Sequence, residues 1–267
     1  MKSTAILLTF KRVVLTLLIS RRGTQMLNWI VNVAAVATGV AMAHYSPLQP
    51  AKELSYMCQL RSTATDVMGC PGYLVGSTTA IFSAACVKFF FTADKVVVGA
   101  TQINGGLDQG EWVRVAKKHF HPNWNEQTRE YDIAVVEFAR PIMQQPVGIL
   151  WDDIAPGKLV WMRGWMPFNP ASKGLYETTV QILPNDQCQN HAARAVYATH
   201  VCAENEIIQG CQNFIDGPLT IEIDGDEYVV GVLSLYMCNT TPQFQIYSRI
   251  SAHRDFIEPF LCPGSLW

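Results

Sequence analysis

The chain has 267 residues, of which 49% are hydrophobic and 16% charged, and its formal net charge is −2. This composition excludes disordered, collagen-like and repeat proteins, and the length supports a sizeable core within a single β-rich domain. Residues 1–43 carry five basic side chains and no acidic one, so the rest of the chain is acidic. An acidic body without a basic stripe argues against nucleic acid as a partner.

The start of the chain has the features of an export signal. Arg21 and Arg22 precede an apolar run, Leu27–Ala43, which ends in the small-x-small pattern of a cleavage site. We therefore expect a signal peptide over 1–43, an irregular segment over 44–56, and a secreted protein with no stable membrane association after the leader is removed. An uncleaved membrane anchor is the alternative. A second apolar run further upstream leaves the true start codon open.

All eight cysteines follow this leader, and an even number behind an export signal indicates disulfides. No C-x-x-C pair or Cys/His cluster has the spacing of a zinc site, so we predict no metal and no cofactor. Asn239 begins an Asn-Thr-Thr sequon, which in a secreted protein is an acceptor for N-glycosylation.

Short apolar runs separated by turn residues fill the rest of the chain and predict an all-β barrel or sandwich. Examples are the runs Tyr73–Val75, Lys95–Gly99, Ile133–Phe138, Leu159–Arg163, Thr178–Leu183, Tyr228–Leu235 and Gln245–Ile250. Pro141–Gly157 has the composition of a linker between two halves, and Ala252–Leu261 is the candidate for a helix.

Motifs in a fixed order carry a family resemblance. Cys70–Val75 resembles the C-G-G-S-L-I strand of chymotrypsin-like serine proteases, and Phe82–Cys86 resembles their T-A-A-H-C element. Tyr131–Val135 resembles N-D-I-A-L, and Cys211–Leu219 resembles the nucleophile loop C-x-G-D-S-G-G-P-L. The resemblance extends over about Met57–Leu261.

Membership of this family implies a double six-stranded antiparallel β-barrel with a C-terminal helix. The homology domain would span 57–262, with barrels at about 57–145 and 158–262. The family's common disulfides map onto three pairs: Cys70–Cys86, Cys188–Cys202 and Cys211–Cys238. Cys58 and Cys262 are left over, and we expect them to pair with each other. An intermolecular bond is the alternative for the last two cysteines.

The catalytic positions depart from the family pattern. Asp132 matches the triad aspartate, but the nucleophile position reads Ile215, which has no lone pair with which to attack a carbonyl. The family has its general-base histidine directly before this cysteine, but here Ala85 precedes Cys86. The histidine has been lost either by substitution at Ala85 or by deletion of one residue. We expect Asp132 to be a buried structural carboxylate that accepts a hydrogen bond from Ser234.

The supporting parts of the protease site are altered as well. Asn213 replaces the glycine of the oxyanion hole, and Phe214 replaces the aspartate that pairs with a freed N-terminus. The specificity pocket of the family aligns with larger or uncharged side chains and is expected to be degraded. The four pocket positions are Gln209, Leu235, Tyr236 and Gln245.

A protease fold that lacks the catalytic residues still presents rigid loops, and this suggests a function in protein binding. Secreted homologues of this kind resemble the glucanase inhibitor proteins of plant-pathogenic oomycetes. That resemblance implies an effector in the host apoplast that inhibits a host endo-β-1,3-glucanase and suppresses plant defence. The alternative is a non-catalytic adaptor or scaffold in an extracellular protease cascade, as among arthropod protease homologues.

Overall fold

The structure is a computed structural model. It describes residues 48–51, 54–62, 69–103, 110–169, 171, 174–190, 192, 194–205, 215–237 and 243–261. All of these belong to one unit, Tyr45–Trp267. The leader, Gln209, Cys211, Asn213, Phe214, Cys238, Asn239 and Cys262 lie outside the described residues.

The first half of the described chain folds into a closed antiparallel barrel in which strands join in the order β2-β3-β4-β7-β6-β5. Its strands are β2 (Met57–Arg61), β3 (Cys70–Gly76), β4 (Thr79–Phe82), β5 (Lys95–Val98), β6 (Glu111–Phe120) and β7 (Ala134–Phe138). β5 pairs with β2 from Lys95 opposite Arg61 to Val98 opposite Cys58, which closes the barrel.

The second half forms another six-stranded antiparallel ring, in the order β9-β10-β11-β14-β13-β12, with β12 pairing back to β9. Its strands are β9 (Leu159–Trp165), β10 (Leu175–Leu183), β11 (His200–Asn205), β12 (Leu219–Ile223), β13 (Asp226–Met237) and β14 (Gln243–Arg249). Two short strands extend it: β1 (Gln49–Pro50) pairs with β10, and β8 (Gly148–Ile149) runs parallel to β13. The predicted double barrel is confirmed.

The strands are formed by segments rich in β-branched and apolar residues. The three valines of β5 and most of Ala134–Phe138 in β7 are buried, as β-branched and apolar residues in a barrel wall are expected to be. Each of the seven predicted runs overlaps a strand. The runs given as examples did not include β2, β4, β6, β11 and β12.

The helices are short. α1 spans Ala84–Phe89 and α2 spans Asn185–Gln189. The predicted helix over Ala252–Leu261 is divided: α3 covers only Arg254–Ile257, between the 3-10 turns Ile250–His253 and Glu258–Phe260. Pro259 contributes to this division, since proline lacks the N–H that would continue α-helical bonding. The helices of the described ranges are all too short or too polar to cross a bilayer.

Two disulfides lie within the described residues. Cys70 is bonded to Cys86 and Cys188 to Cys202, with Cα atoms 5.6 Å and 6.3 Å apart. Cys58 on β2 is buried and is bonded to no other described cysteine. The pairing of Cys58 with Cys262 stays a prediction, as does the pairing of Cys211 with Cys238.

A buried ion network fixes the start of the domain to the second barrel. Arg163 on β9 donates to Glu177 at 2.9 Å and also pairs with Glu227. The hydroxyl of Tyr56, just before β2, donates to Glu227 at 2.8 Å, and Gln49 donates to Glu177 at 3.1 Å. The segment ahead of the first barrel is thus held by polar contacts to β10 and β13.

Candidate functional site

Asp132 is the centre of a hydrogen-bonded cluster between the barrels. It lies just before β7 and is fully buried. Its carboxylate accepts from the hydroxyl of Ser83 at 3.0 Å, from the backbone N–H of Ala85 at 2.7 Å and from the hydroxyl of Ser234 at 2.6 Å. Arg129 Nη1 lies 3.3 Å from the same carboxylate. Hydroxyls, an amide and a cation therefore hold this charge in the interior.

The predicted hydrogen bond from Ser234 to Asp132 is confirmed. Sequence reasoning missed Ser83, which caps α1 by accepting from the N–H of Cys86 while it donates to Asp132. A serine just ahead of Ala84–Phe89 is an N-cap signal that could have revealed it. Ser248 was missed too; its hydroxyl donates to the backbone carbonyl of Asp132 at 2.9 Å.

No imidazole among the described residues is bonded to Asp132. His119 contacts Glu137, and His121 stacks on Tyr131 with ring centroids 4.7 Å apart. His200 accepts from the N–H of Tyr197 and bonds the carbonyl of Arg129. The ring of His253 lies 5.2 Å from that of His121.

His253 is the most unusual of these histidines. It is 1% exposed, and neither ring nitrogen has a hydrogen-bond partner among the described residues. Burial, together with the nearby His121 and His200, lowers the pKa of His253 to about 3. Burial also lowers the pKa values of His121 and His200. These rings are therefore packing groups near the C-terminal turns.

Ile215 faces away from the cluster. Its side chain is fully buried and packs in the core of the second barrel with Met166, Leu219 and Tyr247. The neighbouring backbone fixes this orientation: Asp216 N–H donates to the carbonyl of Trp165 at 2.7 Å, and the Trp165 N–H donates back at 3.2 Å. The structure brings Ala85 and Asp132 together and directs the side chain of position 215 elsewhere.

Two glycines make this backbone contact possible. A Cβ on Gly217 would lie 1.9 Å from the carbonyl oxygen of Arg163, and a Cβ on Gly164 would lie 2.1 Å from that of Asp216. Both distances are well inside any real carbon–oxygen contact, and both involve backbone atoms. The segment after position 215 can therefore pack against β9 only with glycine at these places.

A cleft of about 390 Å³ lies between the barrels beside the Asp132 cluster. Its lining is mostly apolar, and residues of both barrels contribute: Pro71, Tyr73, Ser83, Ala85, Cys86, Phe89, Phe90, Arg129, Pro167, Phe168, Asp216, Gly217, Val232, Leu233 and Ser234. The volume suits a side chain or short segment of a ligand rather than a large cofactor.

Two of the four predicted pocket positions, Leu235 and Gln245, can be placed by their described side chains. Leu235 is partly buried and Gln245 is 8% exposed, and neither lines the cleft. The hydroxyl of Tyr247 donates to the side-chain carbonyl of Gln245. Tyr236 pairs with Gln245 in the β13–β14 register. In the part of the chain that the structure describes, no group of His, Cys, Asp and Glu side chains has the arrangement of a metal site.

The double barrel and this cleft define the chymotrypsin-like class, and comparison with known proteins agrees. The trypsin family model matches residues 48–257, so the chain belongs to the trypsin family. Glucanase inhibitor protein 2 of Phytophthora sojae is 27% identical over 225 residues, covering 79% of this chain and 76% of the relative. Glucanase inhibitor protein 4 of Phytophthora infestans is 28% identical over 200 residues, covering 70% and 76%.

A relative from another lineage matches at similar identity. Serine protease Hayan of Drosophila melanogaster is 27% identical over 222 residues, which cover 73% of this chain. The chain spans only 35% of the length of Hayan. The chain is therefore similar to only part of Hayan, which is a longer protein.

Proposed function

We propose that the chain is a secreted, non-catalytic member of the trypsin family that inhibits a host endo-β-1,3-glucanase by binding it. Catalysis by this family needs a hydroxyl nucleophile and an imidazole base that an aspartate orients. Alanine stands at position 85, and Ser83, Ser234 and the N–H of Ala85 occupy the Asp132 carboxylate. The buried side chain of Ile215 is the observation that carries the proposal, because it places no reactive group in the cleft.

The names of the relatives support a glucanase as the target. Several proteins named glucanase inhibitors match over most of their own length, between 76% and 84%. This coverage favours an inhibitor over an adaptor in an extracellular protease cascade. Secretion from the leader over 1–43 would bring the chain to glucanases in the host apoplast, where inhibition would suppress plant defence.

Affinity capture tests this proposal. The purified chain, with its disulfides intact, is immobilised and exposed to extracellular fluid from a host plant. We expect an endo-β-1,3-glucanase to be retained and identified by mass spectrometry, while the reduced and unfolded chain retains none. Absence of any glucanase from the fraction captured by the folded chain would contradict the proposal.

A further inference from the structure

Asp216 contributes a carboxyl group to the lining of the cleft, and no described residue pairs with it. Two charged side chains line the cleft among the described residues, Arg129 and Asp216. Arg129 is paired with the buried carboxylate of Asp132 at 3.3 Å. The carboxyl of Asp216 makes no hydrogen bond and no ion pair with any described residue. Burial raises the pKa of Asp216 to about 7, as expected for a carboxyl that lacks a partner in apolar surroundings.

This carboxyl departs from the usual motif of the family. The family form of the loop, C-x-G-D-S-G-G-P-L, has glycine at the position of Asp216. Asp216 directly follows the buried Ile215 in the sequence. It is a different position from Gln209, which aligns with the floor of the family's specificity pocket. A carboxyl that replaces glycine without acquiring a partner costs stability within the monomer. A ligand that pairs with it would recover that cost.

Phenylalanines from both barrels border the cleft. Phe89, at the end of α1, is 84% exposed and meets Phe90 edge to face with centroids 5.1 Å apart. Phe168, which follows β9, is 42% exposed. Large aromatic side chains exposed around an apolar cleft are typical of protein-binding surfaces, where they act as anchors.

The segment that carries Phe89 is held in place at both ends. Cys86 within α1 is bonded to Cys70 on β3. After the helix, the ammonium group of Lys118 donates to the carbonyls of Phe91 and Ala93, each at 2.6 Å. An exposed aromatic on a fixed segment loses little conformational entropy when it binds.

We propose that this cleft is the docking site for the protein target, and that the target inserts a lysine or arginine side chain between the phenylalanines to pair with Asp216. Such side chains combine an apolar stem with a cationic head, which matches apolar walls and a carboxylate. The aromatic faces of Phe89 and Phe168 add cation–π attraction. The identity of the target as a glucanase rests on the proposed function, but the chemistry of the docking site does not.

The first experiment probes the cleft without any glucanase. N-acetyl-arginine amide and its uncharged analogue N-acetyl-citrulline amide are titrated into the chain at about pH 8.5, and binding is followed by NMR chemical shifts. We expect a preference of about tenfold for the arginine compound. Asp216→Asn should abolish that preference, and Asp152→Asn, which changes an exposed carboxylate outside the cleft, should keep it. Equal binding of both compounds, or a preference that persists in Asp216→Asn, overturns the inference.

The second experiment measures binding of a purified endo-β-1,3-glucanase by biolayer interferometry. Phe89→Ala and Asp216→Asn should each raise the Kd at least about tenfold. Met143→Ala, which removes a side chain that is 85% exposed and does not line the cleft, should change it less than about twofold.

The outcomes separate the two proposals. If the natural chain binds glucanase and the cleft variants bind equally well, the docking site is wrong and the proposed function stands. If the natural chain binds no glucanase but prefers the arginine compound through Asp216, the glucanase assignment is wrong and the cation-binding cleft stands.

Discussion

The hydroxyl of Ser234 donates a 2.6 Å hydrogen bond to the buried carboxylate of Asp132. In this family the aspartate accepts a hydrogen bond from an imidazole. Here its carboxylate accepts hydrogen bonds from Ser83 of the first barrel and Ser234 of the second. The aspartate thus joins the barrels through hydrogen bonds. Its role in this chain is to stabilise the fold on which the cleft depends.

Asp132→Ala should destabilise the fold by about 3 kcal/mol, because it leaves two hydroxyls, the N–H of Ala85 and Arg129 without their shared partner. Urea unfolding with intact disulfides measures the change. Asp152→Ala removes an exposed carboxylate and should shift the free energy of unfolding by no more than about 0.5 kcal/mol. Equal stabilities of the two variants would contradict the structural role of Asp132.

Restoring the catalytic residue types should not restore catalysis. In the double variant Ala85→His, Ile215→Ser, the new serine would lie where Ile215 packs in the core. We expect no labelling by a fluorophosphonate probe for active serines, and a loss of about 3 kcal/mol from the buried isoleucine. Stoichiometric labelling of the folded double variant would show that position 215 reaches the cleft.

Acid should destabilise the protein through His253. Its pKa is about 3 in the folded protein and near 6.5 in the unfolded chain, so only the unfolded chain binds the proton between these values. The contribution of His253 to the free energy of unfolding is constant above pH 6.5, falls by about 1.4 kcal/mol per pH unit below it, and levels off near pH 3.

The variant His253→Leu isolates this contribution, since leucine places an apolar side chain of similar size beside His121 and Tyr131. Its loss of stability between pH 6.5 and 4.5 should be smaller than that of the natural chain by about 3 kcal/mol, as measured by urea unfolding at each pH. Parallel pH curves for the two proteins would assign the acid sensitivity to other groups.

Gly217→Ala should be strongly destabilising, by about 3 kcal/mol or more, because its Cβ would overlap the backbone carbonyl of Arg163. Thermal unfolding should show a clear fall in Tm. Gly174→Ala is the matched control, since a Cβ there meets no atom within 4 Å. A similar Tm for both variants would mean that the Asp216 segment does not need its close packing against β9.

Much of the fold could be predicted from the sequence because the motifs specify it locally. The short apolar runs, such as the valines of Lys95–Val98 and the run that ends at Phe138, predict an all-β barrel or sandwich. The ordered family motifs then imply the double barrel. The hydrogen bond between Ser234 and Asp132 could be predicted as well, since the family motifs place both residues near the cleft.

Other features depend on contacts between segments that are distant in sequence. The inward orientation of Ile215 results from backbone bonds to Trp165 and from the close approach of Gly164 and Gly217. The absence of a described partner for the Asp216 carboxyl depends on which residues surround it in the fold, which no local sequence pattern indicates. The pairing of Arg163 with two glutamates joins three strands, and no local pattern encodes it.

Inhibition of purified endo-β-1,3-glucanase tests the central claim most directly. The enzyme hydrolyses a soluble β-1,3-glucan while the purified chain is added in increasing amounts, and reducing-sugar release is recorded. We predict that hydrolysis falls in a saturable manner as the chain approaches an equimolar ratio, with no cleavage of the glucanase polypeptide. Full glucanase activity in the presence of a large excess of folded chain would contradict the account.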